Sequence, residues 1–136
     1  MKLLLWYMDN FSYKTASKGL EDVPDLTEEG SFQNAVVGFV HLEEKDAEAV
    51  GSTVTKVIKN LKWLAHKWNT KNVVLHSFAH LAESKASAET VRVVFKQARE
   101  RLEASGYTVG ETPIGYFLDI HIDAPGRSLA RVWKSF

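Results

Sequence analysis

Asn72-Val73-Val74-Leu75-His76-Ser77 is the most informative stretch for the architecture, because this short apolar run lies between two segments with helical spacing. Its length and its polar neighbours predict a buried strand. Before it, apolar residues recur at helical spacing from Asp46 to Trp68. After it, Ser87 is a candidate N-cap of a second helix, which Gly106 ends. Such alternation of helix and strand predicts a sheet with both helices packed on it.

Two strands are predicted upstream of this unit. Lys2 to Asp9 is a continuous apolar run, which predicts a central strand. Phe32 to Leu42 is the second, and its Gly38 predicts a bulge or a close backbone approach. Tyr13 to Ser31 between them is polar and predicts a long irregular connection, which in compact domains is usually functional or mobile.

The downstream part predicts two further strands. Tyr107 to Val109 is short, and Ile114 to Ile122 places Tyr116, Leu118, Ile120 and Ile122 on one face. The tail from Ser128 to Phe136 fits either a short helix or a last strand. The prediction is therefore one α/β domain over residues 1–136, with two main helices on a mixed sheet.

Composition narrows the class of protein. A chain of 136 residues argues for a single domain with a sizeable core, and the absence of cysteine excludes disulfides, thiolate metal sites and a cysteine nucleophile. The 17 basic and 17 acidic side chains give no net charge. This argues against tight binding of a long nucleic acid by the chain alone, but not against binding of an RNA terminus. The N-terminal apolar run is too short for a signal peptide or a membrane span, so we expect an intracellular, cytoplasmic protein.

Ligand sites gather where loops leave the strand ends of such sheets, which selects the loops Phe78–Ser84 and Gly110–Gly115. In the alternative interpretation, Phe78 and Leu81 only pack against the core and His80 hydrogen-bonds its own loop. His76 and His80 straddle a strand end, a poor arrangement for zinc, so no metal site is predicted. No nucleophile elbow or phosphate-binding loop is present.

Basic residues form two groups along the sequence. The first is a row of lysines on the first predicted helix, and its spacing indicates a solvent-exposed face. It consists of Lys56, Lys59, Lys62 and Lys67. The second lies near the end and is the better candidate for contacting phosphates; it consists of Arg127, Arg131 and Lys134.

The segments Asn72–Leu81 and Gly106–Tyr116 resemble two motifs of the N-terminal editing domain of archaeal threonyl-tRNA synthetases. That family typically has Pro-Phe-Ala-His-Leu where this chain has Ser77–Leu81, and Gly-Phe-x-Val-x-x-x-Pro-Phe-Gly-Tyr where it has Gly106–Tyr116. The opening residues also fit, so the resemblance covers nearly the whole chain.

The resemblance implies a fold shared with D-aminoacyl-tRNA deacylases, a homodimer, and hydrolysis of L-seryl-tRNA(Thr). No cofactor is expected. The partners it implies are the serine-bearing 3′ end of tRNA(Thr) and the rest of a threonyl-tRNA synthetase, in cis or in trans. In the family, the ribose 2′-hydroxyl and backbone amides assist the chemistry.

The site implied by the resemblance has two walls. His80 is expected to orient the substrate, and Ser77, Phe78 and Ala79 belong to the same wall; the opposite wall and an apolar position comprise Ile114, Gly115, Tyr116, Phe117 and Leu42. Two positions depart from the family. Leu118 stands where members often carry a lysine, and Arg131 where they carry an acidic residue.

Two alternative functions stay open on the sequence. A D-aminoacyl-tRNA deacylase would share the fold and chemistry but has its own motifs, which this chain lacks. A non-catalytic domain that kept the fold for tRNA docking or dimerisation is the alternative from another class, and the departures at Leu118 and Arg131 favour it.

Overall fold

The computed structural model describes residues 1–136 as six strands and two helices. In chain order these are β1 (Lys2–Lys18), β2 (Glu29–His41), α1 (Val50–Lys67), β3 (Asn72–Ser77), α2 (Ala88–Ala104), β4 (Thr108–Glu111), β5 (Tyr116–Asp123) and β6 (Arg131–Ser135). Neither helix combines the length and apolar character needed to cross a bilayer.

The sheet is mixed, as predicted. Its order is β4-β3-β2-β1-β5, and β6 also pairs with β1. β2, β3 and β4 run parallel, since each is joined to the next through a helix, whereas β1 is antiparallel to β2, β5 and β6. Seventeen residues make β1 long enough to pair with β6 along its first part and with β5 along its second.

The prediction of a long irregular connection from Tyr13 to Ser31 is wrong. β1 continues to Lys18 and β2 already begins at Glu29, so only residues 19–28 connect them. The composition there is polar, yet Tyr13 and Thr15 are buried by the neighbouring strands. Pairing with β2 on one side and β5 on the other stabilises a strand that the local sequence does not predict.

The remaining boundaries shift by a few residues. The first predicted helix was placed from Asp46, but Glu44–Glu48 form a 3-10 turn closed by the Glu43 N–H, which donates to the Asp46 carboxylate at 2.7 Å, and α1 follows it. β4 and β5 begin one and two residues later than predicted. The sequence of the tail fits either a helix or a strand, and the structure shows a strand there.

Both helices pack on one face of the sheet. α1 contributes the fully buried Leu61 and Leu64, and α2 contributes Phe95 and Leu102. Gly38 allows α1 to approach, because a Cβ there would lie 3.2 Å from Leu61 Cδ2, and its strand register is continuous, so the close approach and not a bulge explains it. The opposite face carries a smaller aromatic cluster built on Phe11, Phe39 and Phe78.

Candidate functional site

A cavity of about 320 Å³ opens where β2 and β3 end, between the loop that follows β3 and the loop that precedes β5. Nearly all predicted site residues line it: Leu42, Ser77, Ala79, His80, Ile114, Gly115, Tyr116 and Phe117. Phe78 does not. Its ring turns to the aromatic cluster of the other sheet face, 5.2 Å from the ring of Phe39 between centroids, as the packing interpretation predicts.

His41 fixes the first wall of this cavity. The side chain is 1% exposed, and its ring lies between two backbone groups of the loop after β3. The Leu81 N–H donates to Nδ1 at 2.8 Å, which leaves Nε2 to donate to the Ser84 carbonyl at 2.7 Å. One buried imidazole thus determines where the loop carrying Ala79 and His80 lies.

Further backbone bonds hold the two ends of the same loop. The Phe78 N–H donates to the Val40 carbonyl at 3.0 Å, and the Ala86 N–H donates to the Leu42 carbonyl at 2.9 Å. Within the loop, the backbone N–H groups of Ala79 and His80 have no hydrogen-bond acceptor in the chain. Two free amides at a cavity wall can stabilise negative charge on a bound oxygen.

His76 fixes the second wall. Its Nδ1 lies 2.8 Å from the Thr112 hydroxyl, and the Thr112 N–H donates to the Leu75 carbonyl at 3.1 Å. Burial lowers the pKa of His76 from 6.5 to about 4, because the imidazolium would lose its hydration there. His76 is therefore neutral near pH 7, and it supports the loop before β5 while also lining the cavity.

Gly115 lets this second loop turn against the connection after β1. Its φ of 97° suits glycine, and a Cβ would lie 2.9 Å from Val23 Cγ1. The Gly115 carbonyl accepts from the Gly19 N–H at 2.7 Å, and the Tyr116 hydroxyl donates to the Pro24 carbonyl at 2.5 Å. The short connection of residues 19–28 thereby supports the wall.

His80 is exposed at the mouth of the cavity. Its ring stands on the edge of Phe78, with centroids 4.9 Å apart and planes at 71°, and its ring nitrogens form no hydrogen bond within the chain. The imidazole is therefore held by one aromatic contact and free to bind a ligand. The alternative in which His80 hydrogen-bonds its own loop is wrong; His41 has that role.

Sequence reasoning missed several residues at this site, of which Lys85, His41 and Thr112 matter most for its chemistry and shape. Lys85 lines the cavity and is the only lysine or arginine that does so, one position beyond the loop boundary drawn at Ser84. His41 and Thr112 were missed because their partners come from distant segments. Only a buried strand ending in histidine, Val40-His41-Leu42, could have drawn attention to the first.

The two departures from the family pattern lie differently. Leu118 lines the cavity, so its side chain stands at the site itself. Arg131 lies on β6 with its guanidinium 5.4 Å from the ring centre of Trp6 and does not line the cavity. No group of three His, Asp or Glu side chains is arranged to hold a metal ion.

Comparison with known proteins bears on the whole chain. A family model described as the archaea-specific editing domain of threonyl-tRNA synthetase matches residues 1–136. Threonine–tRNA ligases of Pyrococcus horikoshii and Methanobrevibacter smithii are 27% and 28% identical over 99% of this chain. The chain spans about a fifth of these relatives, 22% of each.

A likeness to a solved structure concerns the fold alone. The c-Myc DNA unwinding element binding protein aligns with a TM-score of 0.70 at 12% identity, over 100% of this chain and 99% of that one. The predicted fold class, a single mixed α/β domain of D-aminoacyl-tRNA deacylase type, is confirmed.

Proposed function

Because the chain belongs to the archaea-specific editing-domain family of threonyl-tRNA synthetase, we propose that it hydrolyses the ester joining L-serine to the terminal adenosine of threonine tRNA. The observation that carries this proposal is the cavity of about 320 Å³ with the free N–H groups of Ala79 and His80 at its wall. A small acyl group fits such a cavity. Free backbone amides are typical of sites that catalyse acyl transfer, because they stabilise the oxyanion that forms.

The reaction needs water to add to the ester carbonyl carbon. Negative charge then develops on the carbonyl oxygen, where the two free amides can stabilise it. As the carbon–oxygen bond to the ribose breaks, the 3′-oxygen leaves and takes a proton, giving free serine and tRNA. The adjacent ribose 2′-hydroxyl is well placed in the substrate itself to relay that proton, and buried His76 is not.

Lys85 and His80 are the polar side chains available to orient the substrate. Lys85 is the cation of the cavity, and Leu118 stands where a lysine is common in the family. We assign Lys85 the contact with an oxygen of the ribose or of the terminal phosphate, and His80 the orientation of the seryl group. Both are binding roles, so their loss should raise KM more than it lowers kcat.

Size discrimination explains why a second site is needed. Serine lacks one methyl group of threonine, and a pocket that recognises the larger substrate rejects the smaller by only ~1–3 kcal/mol. We assign to Leu42 and Ile114, two apolar residues of the cavity lining, the contacts that admit serine and exclude the extra methyl group of threonine. The order of specificity expected here is therefore seryl over threonyl.

The test is hydrolysis of L-seryl-, L-threonyl- and D-aminoacyl-tRNA(Thr) side by side, with His80→Ala and Lys85→Met as variants. We expect rapid release of serine only, and a higher KM for seryl-tRNA in both variants. Faster release of the D-amino acid would assign the chain to D-aminoacyl-tRNA deacylation. No release of serine with protein in molar excess would make it a docking domain.

A homodimer and the remainder of the synthetase are the proposed protein partners, in the cytoplasm where tRNA is charged. Support for the dimer comes from the sheet face that the helices leave uncovered. Trp133 of β6 is 56% exposed on this face. It lies opposite the half-buried Leu4 of β1, and Trp6 of β1 is on the same face. Aromatic and aliphatic side chains on one flat sheet face form a surface that a second copy can cover.

A further inference from the structure

The charges of this neutral chain are segregated along the sequence. Residues 49–82 contain five lysines and no acidic residue, and residues 124–136 contain three basic residues and no acidic one. These two segments hold eight of the 17 basic side chains. Although the net charge of the chain is zero, these two segments are strongly basic, and all 17 acidic side chains lie outside them.

The fold brings the two acid-free segments together. Lys134 of β6 places its ammonium 5.5 Å from the ring centre of Trp63 on α1, and Lys56 of α1 lies 5.3 Å from that of Phe136. Further along, the Trp68 indole N–H donates to the Leu129 carbonyl at 2.8 Å. The α1–β6 face formed in this way comprises Lys56, Lys59, Lys67, Arg127 and Lys134.

No carboxylate lies within 4 Å of the basic groups of this face. Every ion pair within 4 Å in the chain involves other residues, namely Met1, Lys2, Lys18, Lys45 and Arg99 with their acidic partners. Contacts with aromatic rings restrict the ammonium groups of Lys56 and Lys134 without cancelling their charge. Ordered, unpaired cations lose less freedom when an anion binds.

An open hollow of about 620 Å³ lies on this face, and its chemistry suits phosphate. Lys56, Lys59 and Lys134 line it together with the hydroxyl groups of Ser52 and Thr55. Ammonium and hydroxyl groups donate hydrogen bonds to phosphate oxygens, and no acidic side chain lines the hollow.

The α1–β6 face starts at the end of the sheet where the editing cavity opens. Ser135 pairs with Lys2, and Lys2 pairs with His41, which directly precedes the cavity residue Leu42. From there the face follows α1, whose rise from Lys56 to Lys67 is ~16 Å. An RNA helix whose 3′ end enters the cavity can therefore place several successive phosphates along it.

We propose that the α1–β6 face binds the phosphodiester backbone of the tRNA acceptor arm. This inference rests on the proposed editing function, since it assumes that an aminoacylated RNA end occupies the cavity. It assigns the lysine row a partner, and it explains how a chain without net charge can hold a polyanion.

The test is the salt dependence of the affinity of the 136-residue chain for uncharged tRNA(Thr), measured by fluorescence anisotropy. The variant is Lys56→Gln with Lys59→Gln, and the matched control is Lys14→Gln with Lys96→Gln, which removes two exposed lysines from β1 and α2. We expect the slope of log K against log salt to become shallower by ~1–2 for the variant, and the control to match the wild type.

A second arm separates this inference from the proposed function. The variant should hydrolyse seryl-adenosine, which has no acceptor arm, as fast as the wild type, and seryl-tRNA about tenfold more slowly at low salt. Equal salt slopes for variant, control and wild type would overturn the inference, also if seryl-tRNA is still hydrolysed. An altered slope without hydrolysis would support the inference and overturn the editing function. Loss of binding to the remainder of the synthetase with unchanged tRNA binding would assign the face to that protein instead.

Discussion

At the scale of single residues, two buried histidines determine the shape of the site. His41 is hydrogen-bonded to the loop after β3, and His76 to the loop before β5, so each wall of the cavity depends on one buried imidazole. His80, the histidine marked by its motif, is exposed. Position in a motif indicated the exposed histidine of the cavity, whereas the two supporting residues depend on tertiary contacts that no local pattern records.

Substitutions at His41 can separate its two bonds. His41→Asn retains an acceptor near Nδ1 for the Leu81 N–H, and His41→Gln retains a donor near Nε2 for the Ser84 carbonyl. We expect each to lower the free energy of unfolding by ~1 kcal/mol and to raise KM for seryl-tRNA, with His41→Ala worse on both counts. Denaturant unfolding and steady-state kinetics measure these effects. Unchanged kinetics in His41→Ala would show that the loop needs no such support.

Stability against acid should depend on His76. Its pKa is about 4 when folded and near 6.5 when unfolded, so between these values the unfolded chain binds a proton that the folded chain does not. The free energy of unfolding should therefore fall as pH decreases from 6.5 to 4, by about 1.4 kcal/mol per unit at most.

The comparison is with His76→Asn, which can still contact Thr112 but does not titrate. Urea unfolding of both proteins at several pH values gives the difference, because carboxylate protonation affects both alike. Parallel curves from pH 7 to pH 4 would contradict the prediction.

At the scale of elements, the segments with strong local signals were predicted closely. β3 matches its predicted bounds, and α2 begins after Ser87, whose hydroxyl accepts from the Thr90 N–H at 3.2 Å. β1 was predicted only over its apolar part, because its continuation to Lys18 depends on pairing with β2 and β5. Local propensity predicts what the chain does alone, and pairing decides the rest.

The Ser87 cap is open to a direct test. Ser87→Ala removes the acceptor for the Thr90 N–H and should lower the free energy of unfolding by ~1 kcal/mol, whereas Ser87→Asp should keep it near the wild-type value. Denaturant titration measures both. If the two variants were equally unstable, the hydroxyl would not act as a cap. Ala88 and Val91 of the following turns line the cavity, so fraying there should also raise KM.

For the molecule as a whole, the fold class followed from the order of helices and strands, and the site loops followed from the strand ends. The packing of α1 beside β6 did not follow, because it joins segments far apart in sequence. Most members of the two basic groups, though not Lys62 and Arg131, lie on one surface because of this packing, which the spacing of residues along the sequence does not predict.

The exposed Trp133 on the uncovered sheet face predicts a dimer. We expect the wild-type chain to sediment as a dimer at micromolar concentration and Trp133→Glu as a monomer, because a buried unpaired carboxylate would oppose association. Leu26→Glu, at a residue 40% exposed in the connection after β1, is the control and should remain dimeric. A monomeric wild type under these conditions would contradict the proposal.

The double pairing of β1 has a consequence for synthesis on the ribosome. Among the strands of this domain, β1 is synthesised before all others, whereas β5 and β6, which cover one of its edges, are synthesised after the rest. While the chain emerges, β2 can pair with β1 on one edge, but the other edge stays open until residue 135 has left the exit tunnel. An open edge of this length is a point at which nascent chains can associate. Slow translation of the last strands should therefore favour aggregation more than slow translation of the helices.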